Sequence, residues 1–461
     1  MSQTVVIDDL QVGMFVHLDL GWWAHPFALS SFLITSPDQI TTIRGLGLKQ
    51  LRWSPARSRP PAALQPPGDV GDADAIVVGA GVTHTDGGAP LPATGTTPAA
   101  AAADAAAPAG PALVALPPAA PGPQAAHRQA LAEQHAARER CEQQYGEAGR
   151  AWHEAQRLVP RAPEQARDVT EALTRALLDK LMVDREMCVR VISDTGGDRV
   201  SGHALNVAVI ALLMGRVFGF GEDDMLDLGV GSLLHDMGKL DLPDRVRHAD
   251  PLLNPREQQA YREHVGLGVA LAQRMGLREG ALAVVAQHHE MADGSGFPAR
   301  LSLDRMAIGA RIVSLINRYD NLCNPAQVAA ALTPHEALSL IFAQTRTKFD
   351  ATMLNAFIRM MGVYPPGSLV QLTDDRYATV VSCNSSRPLK PRVLVCDTRV
   401  PVEEALLLNL DGCTDLGIRR SLKATQLPAA ARDYLSPRQR MVYFFEPVPA
   451  DAADMAEARA A

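Results

Sequence analysis

His235-Asp236-Met237-Gly238-Lys239 and His288-His289-Glu290-Met291-Ala292-Asp293-Gly294-Ser295-Gly296-Phe297-Pro298 are the two words on which the fold turns. His203 lies upstream of them and His264 between them, all within residues 203–320. A structural core rarely asks for four separate histidine positions, an adjacent acid and a glycine-rich turn. Neutral imidazole and carboxylate ligands suit Mn, Fe, Ni or Zn rather than the all-oxygen shells of Mg or Ca. Asp236, beside His235 at a helix end, can bridge two ions about 3.5–4 Å apart, an arrangement that activates water and holds phosphate oxygens. Lys239 follows His235 by four residues and is placed to neutralise charge on a phosphate.

Outward from these words the periodicity is helical. Asn206, Val207, Ile210, Leu213, Met214 and Val217 mark an amphipathic helix with His203 at its start, and a second runs from Leu226 to Leu234 into His235. A third has a strong start signal: Asn254 as N-cap, Pro255 at the first helical position and Glu257 three residues after the cap. It carries Tyr261, His264 and Leu271. A fourth, Leu282 to His289, ends in the double histidine. A fifth, over 305–322, puts Val313, Asn317 and Asp320 on one face.

The expected class is therefore mainly α, with a helical unit over 196–363. Residues 1–57 read as a small α/β module, with short strands at Val5-Val6-Ile7 and Phe15-Val16-His17-Leu18. Its aromatics, Trp22, Trp23, Phe27 and Phe32, fit a compact core or a docking surface. Residues 58–126 read as a disordered linker, because Ala, Pro and Gly fill 27 of the 36 positions 91–126. A helical connector follows over 127–195. Tyr145 and Trp152 lie one heptad apart in it, and Leu173, Leu177 and Leu181 stripe a helix placed at 164–193. Residues 364–448 alternate as strands, with a hairpin around Asp374-Asp375. They form a small β-rich domain before a frayed tail, 449–461.

At 461 residues several units are expected. The formal charge of −7 gives no general reason to bind a nucleic acid polymer or an anionic membrane. Six scattered cysteines suit a reducing cytoplasm. The apolar stretch 204–220 is shorter than the roughly 20 residues a membrane span needs, and the N-terminus lacks a signal-peptide pattern.

With these words in hand, residues 203–320 resemble the HD-GYP family of metal-dependent phosphohydrolases, a branch of the HD superfamily. The match runs through His203-Ala204-Leu205-Asn206, the His235 word, Leu242-Pro243-Asp244, His264 and the His288 word, with Phe297 where the family name has Tyr. Val12-Gly13-Met14, Trp22 and Pro26-Phe27 also resemble a module often joined to such domains. The resemblance implies an HD-type helical bundle holding two divalent transition-metal ions (Fe, Mn or similar). It implies hydrolysis of the bacterial second messenger cyclic di-GMP to the linear dinucleotide or GMP. Carried over by position, His203, His235, Asp236, His264, His288 and His289 are the metal ligands, with Asn317 as a weak further one. Lys239 and Asp236 are catalytic, and Asp293, Gly294, Gly296, Phe297 and Pro298 form a substrate-binding loop.

Three departures qualify the resemblance. Asn317 stands where the family places a ligating Asp. Arg199 occupies the position of an extra Glu ligand, which argues against a third metal. The basic Arg-Pro-Tyr-Arg word falls on Ala326-Gln327-Val328-Ala329, with Ala330 and Ala249 at two further positions that are usually basic. Each lost charge-assisted phosphate contact costs about 1.5–3 kcal/mol. Arg245, Arg247, Arg311 and Arg318 are candidates to compensate. The alternative reading is a diverged, weakly active or inactive module that senses a nucleotide or binds a protein. Signalling proteins could dock through the N-terminal module or the HD-GYP surface, and the helices before the core are compatible with a homodimer.

Overall fold

The computed structural model describes residues 3–18, 31–34, 37–46, 48–55, 58, 123–182, 187–192, 199–247, 253–383 and 388–448. Trp22, Trp23, Phe27, most of the stretch 58–126, Ala249 and the tail 449–461 lie outside the described residues, as do the side chains of Phe32 and Arg199.

Near the N-terminus, β1 (Gln3–Val6), β2 (Phe15–His17), β3 (Ser31–Leu33) and β4 (Gln50–Trp53) form an antiparallel sheet in the order β1-β4-β2-β3, with α1 (Pro37–Gly45) between β3 and β4 in the chain. Ile7, Leu10, Val16, Ile34, Ile43 and Leu51 give this module a small core of its own.

The connector is α2 (Pro123–Leu158) followed by α3 (Pro163–Leu181). Tyr145 and Trp152 are both buried in the main core, so the heptad spacing in α2 serves packing onto this same chain. The helix placed at 164–193 is shorter than those bounds. It stops at Leu181, and Met187–Val191 is a strand, β5, with all five residues buried. The reason is non-local: β5 pairs with a strand more than 250 residues downstream.

The helical core comprises α4 (Arg199–Val217), α5 (Glu222–Leu234), α6 (Pro255–Met275), α7 (Glu279–Gln287), α8 (Ile308–Cys323), α9 (Pro334–Gln344) and α10 (Ala351–Met361). Every residue of α4 from Ala204 to Met214 is buried. A helix apolar on all sides must be central, and the others pack around it. The start of α6 is fixed by a capping box. Asn254 accepts from the Arg256 and Glu257 amides while Glu257 accepts from the Asn254 amide. Gly276, in the left-handed region at φ 68°, ends the helix. No helix among the described residues is long and apolar enough to cross a membrane.

The C-terminal strands are β6 (Leu369–Leu372), β7 (Tyr377–Cys383), β8 (Arg392–Val395), β9 (Leu408–Asn409) and β10 (Ile418–Leu422), then α11 (Ala429–Leu435) and β11 (Tyr443–Pro447). β6 and β7 form the hairpin around Asp374 and Asp375. The sheet order β10-β6-β7-β5-β11 includes β5 from before the helical core, while β8 pairs with β7 and β9. Tyr443, Phe444 and Phe445 of β11 are buried in the helical core itself. The sheet and the helices therefore share one interior.

Candidate metal centre

Four helices deliver the histidines. His203 lies in the first turns of α4, His235 directly after α5, His264 within α6 and His288 directly after α7. The turn after His235 runs back against α6, and Gly238 makes that approach possible. A Cβ there would lie 2.0 Å from the His264 carbonyl oxygen and 2.4 Å from the Gly268 nitrogen. Only hydrogen fits, so Asp236 and His264 are held against one another.

The Nδ1 atoms of His235, His264 and His288 each meet the backbone carbonyl three residues earlier: Ser232 at 2.6 Å, Tyr261 at 2.5 Å and Val285 at 2.9 Å. His203 Nδ1 meets Asp320 Oδ2 at 2.6 Å. Carbonyl and carboxylate oxygens only accept, so each Nδ1 carries the proton and a neutral ring presents its lone pair at Nε2. Those lone pairs face each other. His203 and His235 Nε2 are 3.2 Å apart, as are His264 and His288 Nε2. Two acceptors at that distance need a cation between them. Between His264 and His288 burial disfavours a proton in that role, pushing His264 down to about 3 and His288 to about 4, and it holds His289 well below its usual value.

Asp236 sits between the two pairs. Its Oδ2 is 3.6 Å from His203 Nε2 and 3.5 Å from His235 Nε2, and its Oδ1 is 3.5 Å from both His264 and His288 Nε2. One carboxylate oxygen therefore belongs to each histidine group, and His289 joins the Oδ1 group. Asp236 Oδ1 and His289 Nε2 are buried without a hydrogen-bond partner. Ligand atoms each about 2.1 Å from one ion stand roughly 3.0–3.4 Å apart. The 3.2 Å Nε2 pairs and the two orphaned atoms thus fit metal binding by the cluster of histidines around Asp236.

Comparison with known proteins bears on the same helical core. An HD domain family model matches residues 186–353, and a domain of unknown function (DUF3391) matches residues 2–171. A cyclic di-GMP phosphodiesterase of Pseudomonas aeruginosa, PA4108, is 27% identical over 220 residues, covering 46% of this chain and 52% of that protein. The cyclic di-GMP phosphodiesterase response regulator RpfG of Xanthomonas campestris pv. campestris is 31% identical over 153 residues, 32% of this chain and 40% of that protein. A 3'3'-cGAMP-specific phosphodiesterase of Vibrio cholerae is 28% identical over 158 residues, 34% and 30% of the two chains. The chain spans about half or less of the length of these relatives. Residues 186–353 match an HD domain.

Within this HD domain Lys239 Nζ is 2.5 Å from Asp236 Oδ2 and lies over the Tyr261 ring, 5.2 Å from its centre. Burial alone would lower the Lys239 pKa, but Asp236 outweighs it and holds the ammonium above its ordinary value. Burial likewise opposes ionisation of Asp236, and Lys239 with His235 outweighs it, keeping the carboxylate well below the usual range. Arg247 is the one among the four candidate arginines that lines a cavity of ≈ 120 Å³ beside His203, Asp236 and Lys239. Its guanidinium donates to the Lys239 and Leu242 carbonyls. Arg247 also pairs with Asp244 at 2.7 Å; Arg245 and Arg311, outside the cavity, pair with Glu257 and Asp350, Arg318 is exposed on α8, and residues 327–330 form an exposed turn.

The turn after the double histidine is clasped by Glu290, which is fully buried and accepts from the Ala299 and Leu301 amides at 2.6 and 2.8 Å. Glu290 is thus committed to the loop backbone. Asp293 caps the Ser295 amide, Gly294 takes φ 75°, and Gly296 has no room for a Cβ, which would lie 2.4 Å from the Met291 nitrogen. The result sets Phe297 flat on His289, ring centres 4.5 Å apart, with Arg262 over the Phe297 ring. Pro298 follows in the same turn.

Asn317 is buried one helical turn before Asp320, and its amide oxygen accepts from Asn321 Nδ2 at 2.6 Å. Asn321 lines the small cavity with Lys239. Sequence reasoning placed Asp320 on the Asn317 face without giving it a role. It orients His203, and its Oδ1 accepts from Asn206 Nδ2 at 2.7 Å and Asn324 Nδ2 at 2.9 Å. Its i+3 spacing from Asn317 was the available signal.

The depressed histidines set a pH dependence. In metal-free protein His264 and His288 stay neutral down to about 3 and about 4, whereas unfolded histidines take up protons near 6.5. Between those values the unfolded chain binds more protons, so stability falls as pH drops from about 6.5 towards 4. Calorimetry of chelated protein is expected to show the melting temperature falling by a few degrees per pH unit in that window. A flat profile would contradict neutral, desolvated histidines.

Proposed function

We propose that the HD domain is a phosphodiesterase that hydrolyses cyclic di-GMP to the linear dinucleotide or GMP, with two divalent transition-metal ions, Fe or Mn. The observation that carries this reading is Asp236, with one carboxylate oxygen turned to each histidine group. Ions bound there supply an activated water and neutralise phosphate charge. The side chains do the rest. Nδ1 contacts fix His203, His235, His264 and His288 with Nε2 inward, which makes these ligands preorganised. Lys239, held as an ammonium at the mouth of the small cavity, offers a donor to a phosphate oxygen, and Arg247 lines the same mouth. Phe297, stacked on His289 and covered by Arg262, holds the loop against the histidines.

The test is incubation of Mn- or Fe-loaded protein with cyclic di-GMP and, in parallel, 3'3'-cGAMP, since similar proteins carry either substrate in their names. Turnover with release of linear dinucleotide or GMP is expected. Absence of turnover with any metal would reject the enzyme reading. It would leave a nucleotide-sensing or protein-binding module, a reading favoured by the neutral Asn317 and by the absence of arginine from the exposed 327–330 turn.

Asn317→Asp gives a sharper check. A carboxylate keeps the acceptor used by Asn321 and adds a charge one turn from Asp320. Metal affinity or hydrolysis rate is expected to rise by up to about tenfold, or 1.4 kcal/mol. No change in metal titration or rate would show that Asn317 takes no part in the centre.

A further inference from the structure

The small cavity beside the metal centre, ≈ 120 Å³, has one wall that lies outside the HD domain match. α2 contributes Trp152, Gln156 and Val159 to it, at i, i+4 and i+7 on one helix face. These residues belong to the segment 2–171 matched by the domain of unknown function. The polar groups of the lining fall into two kinds. His203, Asp236, Lys239 and Arg247 are engaged with one another or with the neighbouring chain. Asn321 turns its amide NH₂ back onto Asn317, at 2.9 and 2.6 Å. Trp152 and Gln156 differ. The Trp152 ring is 3% exposed, yet its indole N–H is buried without a partner, where a buried tryptophan ordinarily finds one. The half-buried Gln156 amide makes no hydrogen bond to the described residues. Packing alone does not account for the tryptophan, since an apolar ring at 152 would fill the core without desolvating a donor. Val200 and Leu240 line the same cavity as exposed apolar side chains. Small-molecule sites are built this way, from apolar walls with a few uncommitted polar groups, and ≈ 120 Å³ takes part of a dinucleotide.

We infer that α2 is a substrate-contacting wall of this site. With a phosphate at Lys239, the nucleoside attached to it lies along Trp152, Val200 and Leu240, and the Gln156 amide bonds its base or sugar. An amide offers both a donor and an acceptor, which suits the mixed edge of a purine. The segment upstream of the HD domain thereby completes the cavity and does more than tether it.

Because this wall rests on the hydrolytic reading of the centre, the test keeps the two apart. Full-length, Mn- or Fe-loaded protein would be assayed with cyclic di-GMP. Gln156→Ala is expected to raise KM about five- to tenfold, the scale of one hydrogen bond, with kcat within about twofold of wild type. Its metal content and melting temperature should match wild type, since the side chain is half-buried. Trp152→Phe keeps a ring in the core and should raise KM several-fold. Glu154→Ala, exposed on the same helix, should change nothing. Gln156→Ala decides the matter. Normal turnover with an unchanged KM would overturn the wall while leaving the phosphodiesterase reading intact. A fall in kcat with loss of metal and no change in KM would also overturn it, by making α2 a support of the fold. If the wild type hydrolyses nothing, cyclic di-GMP is a stable ligand, and calorimetric titration of the same loaded protein reads the wall directly. Binding weakened about fivefold or more by Gln156→Ala would then support it. No binding, or binding indifferent to that variant, would overturn it.

Discussion

Asp236→Asn is expected to empty both metal positions together and to lower hydrolysis by about 10³-fold, the scale on which a buried charge left unpaired costs 3–5 kcal/mol. The argument is geometric. One carboxylate turns Oδ2 towards His203 and His235 and Oδ1 towards His264 and His288, so no histidine group is independent of it. An asparagine keeps the shape, but it offers one oxygen instead of two and removes the negative charge. It also leaves the Lys239 ammonium, now 2.5 Å from Oδ2, as an uncompensated cation beside both positions. His289→Ala should behave differently, because His289 belongs only to the Oδ1 group, and half of the metal should remain. Elemental analysis of the two purified variants decides the matter. If Asp236→Asn keeps a full equivalent of metal, Asp236 serves one ion and the bridged reading fails.

The clustering of the candidate ligands was legible because their chemistry is dense. His235-Asp236 and His288-His289 each pack ligand types into adjacent positions at helix ends, where little packing reason exists for them. The α6 start was equally legible, since Asn254, Pro255 and Glu257 act within one turn. What escaped was non-local. Met187–Val191 reads as the tail of a helix until its partner strand, Tyr443–Pro447, is known. Glu290 stands next to a double histidine and looks like a site residue, but its carboxylate is spent on the Ala299 and Leu301 amides. Only side-chain direction separates those roles, and sequence spacing does not encode it at a helix end. Arg247 could not be told from Arg245 for the same reason: two residues apart, one lines the cavity beside Lys239 and the other pairs with Glu257.

Asp320→Asn is expected to weaken metal binding and hydrolysis by about 10–100-fold, the range for groups that orient a metal-bound histidine. Asp320 is fully buried and accepts on both oxygens: His203 Nδ1 at 2.6 Å on Oδ2, and the Asn206 and Asn324 amides on Oδ1. An asparagine turns one acceptor into a donor. If the new NH₂ faces Asn206 and Asn324, two or more buried donors collide. If it faces His203, the ring must give up its Nδ1 proton and carry it on Nε2, which removes the lone pair aimed at His235. Either outcome costs about 1–3 kcal/mol in unsatisfied groups, so loss of fold and loss of orientation must be separated. Leu338→Ala serves as the control, since it truncates a buried core residue of α9. It should lower the melting temperature by a similar amount while leaving metal affinity near wild type. Asp320→Asn should weaken the position served by His203 and His235 and spare the one served by His264, His288 and His289. Equal weakening of both positions, or none beyond that of Leu338→Ala, would mean that Asp320 supports the fold and not His203.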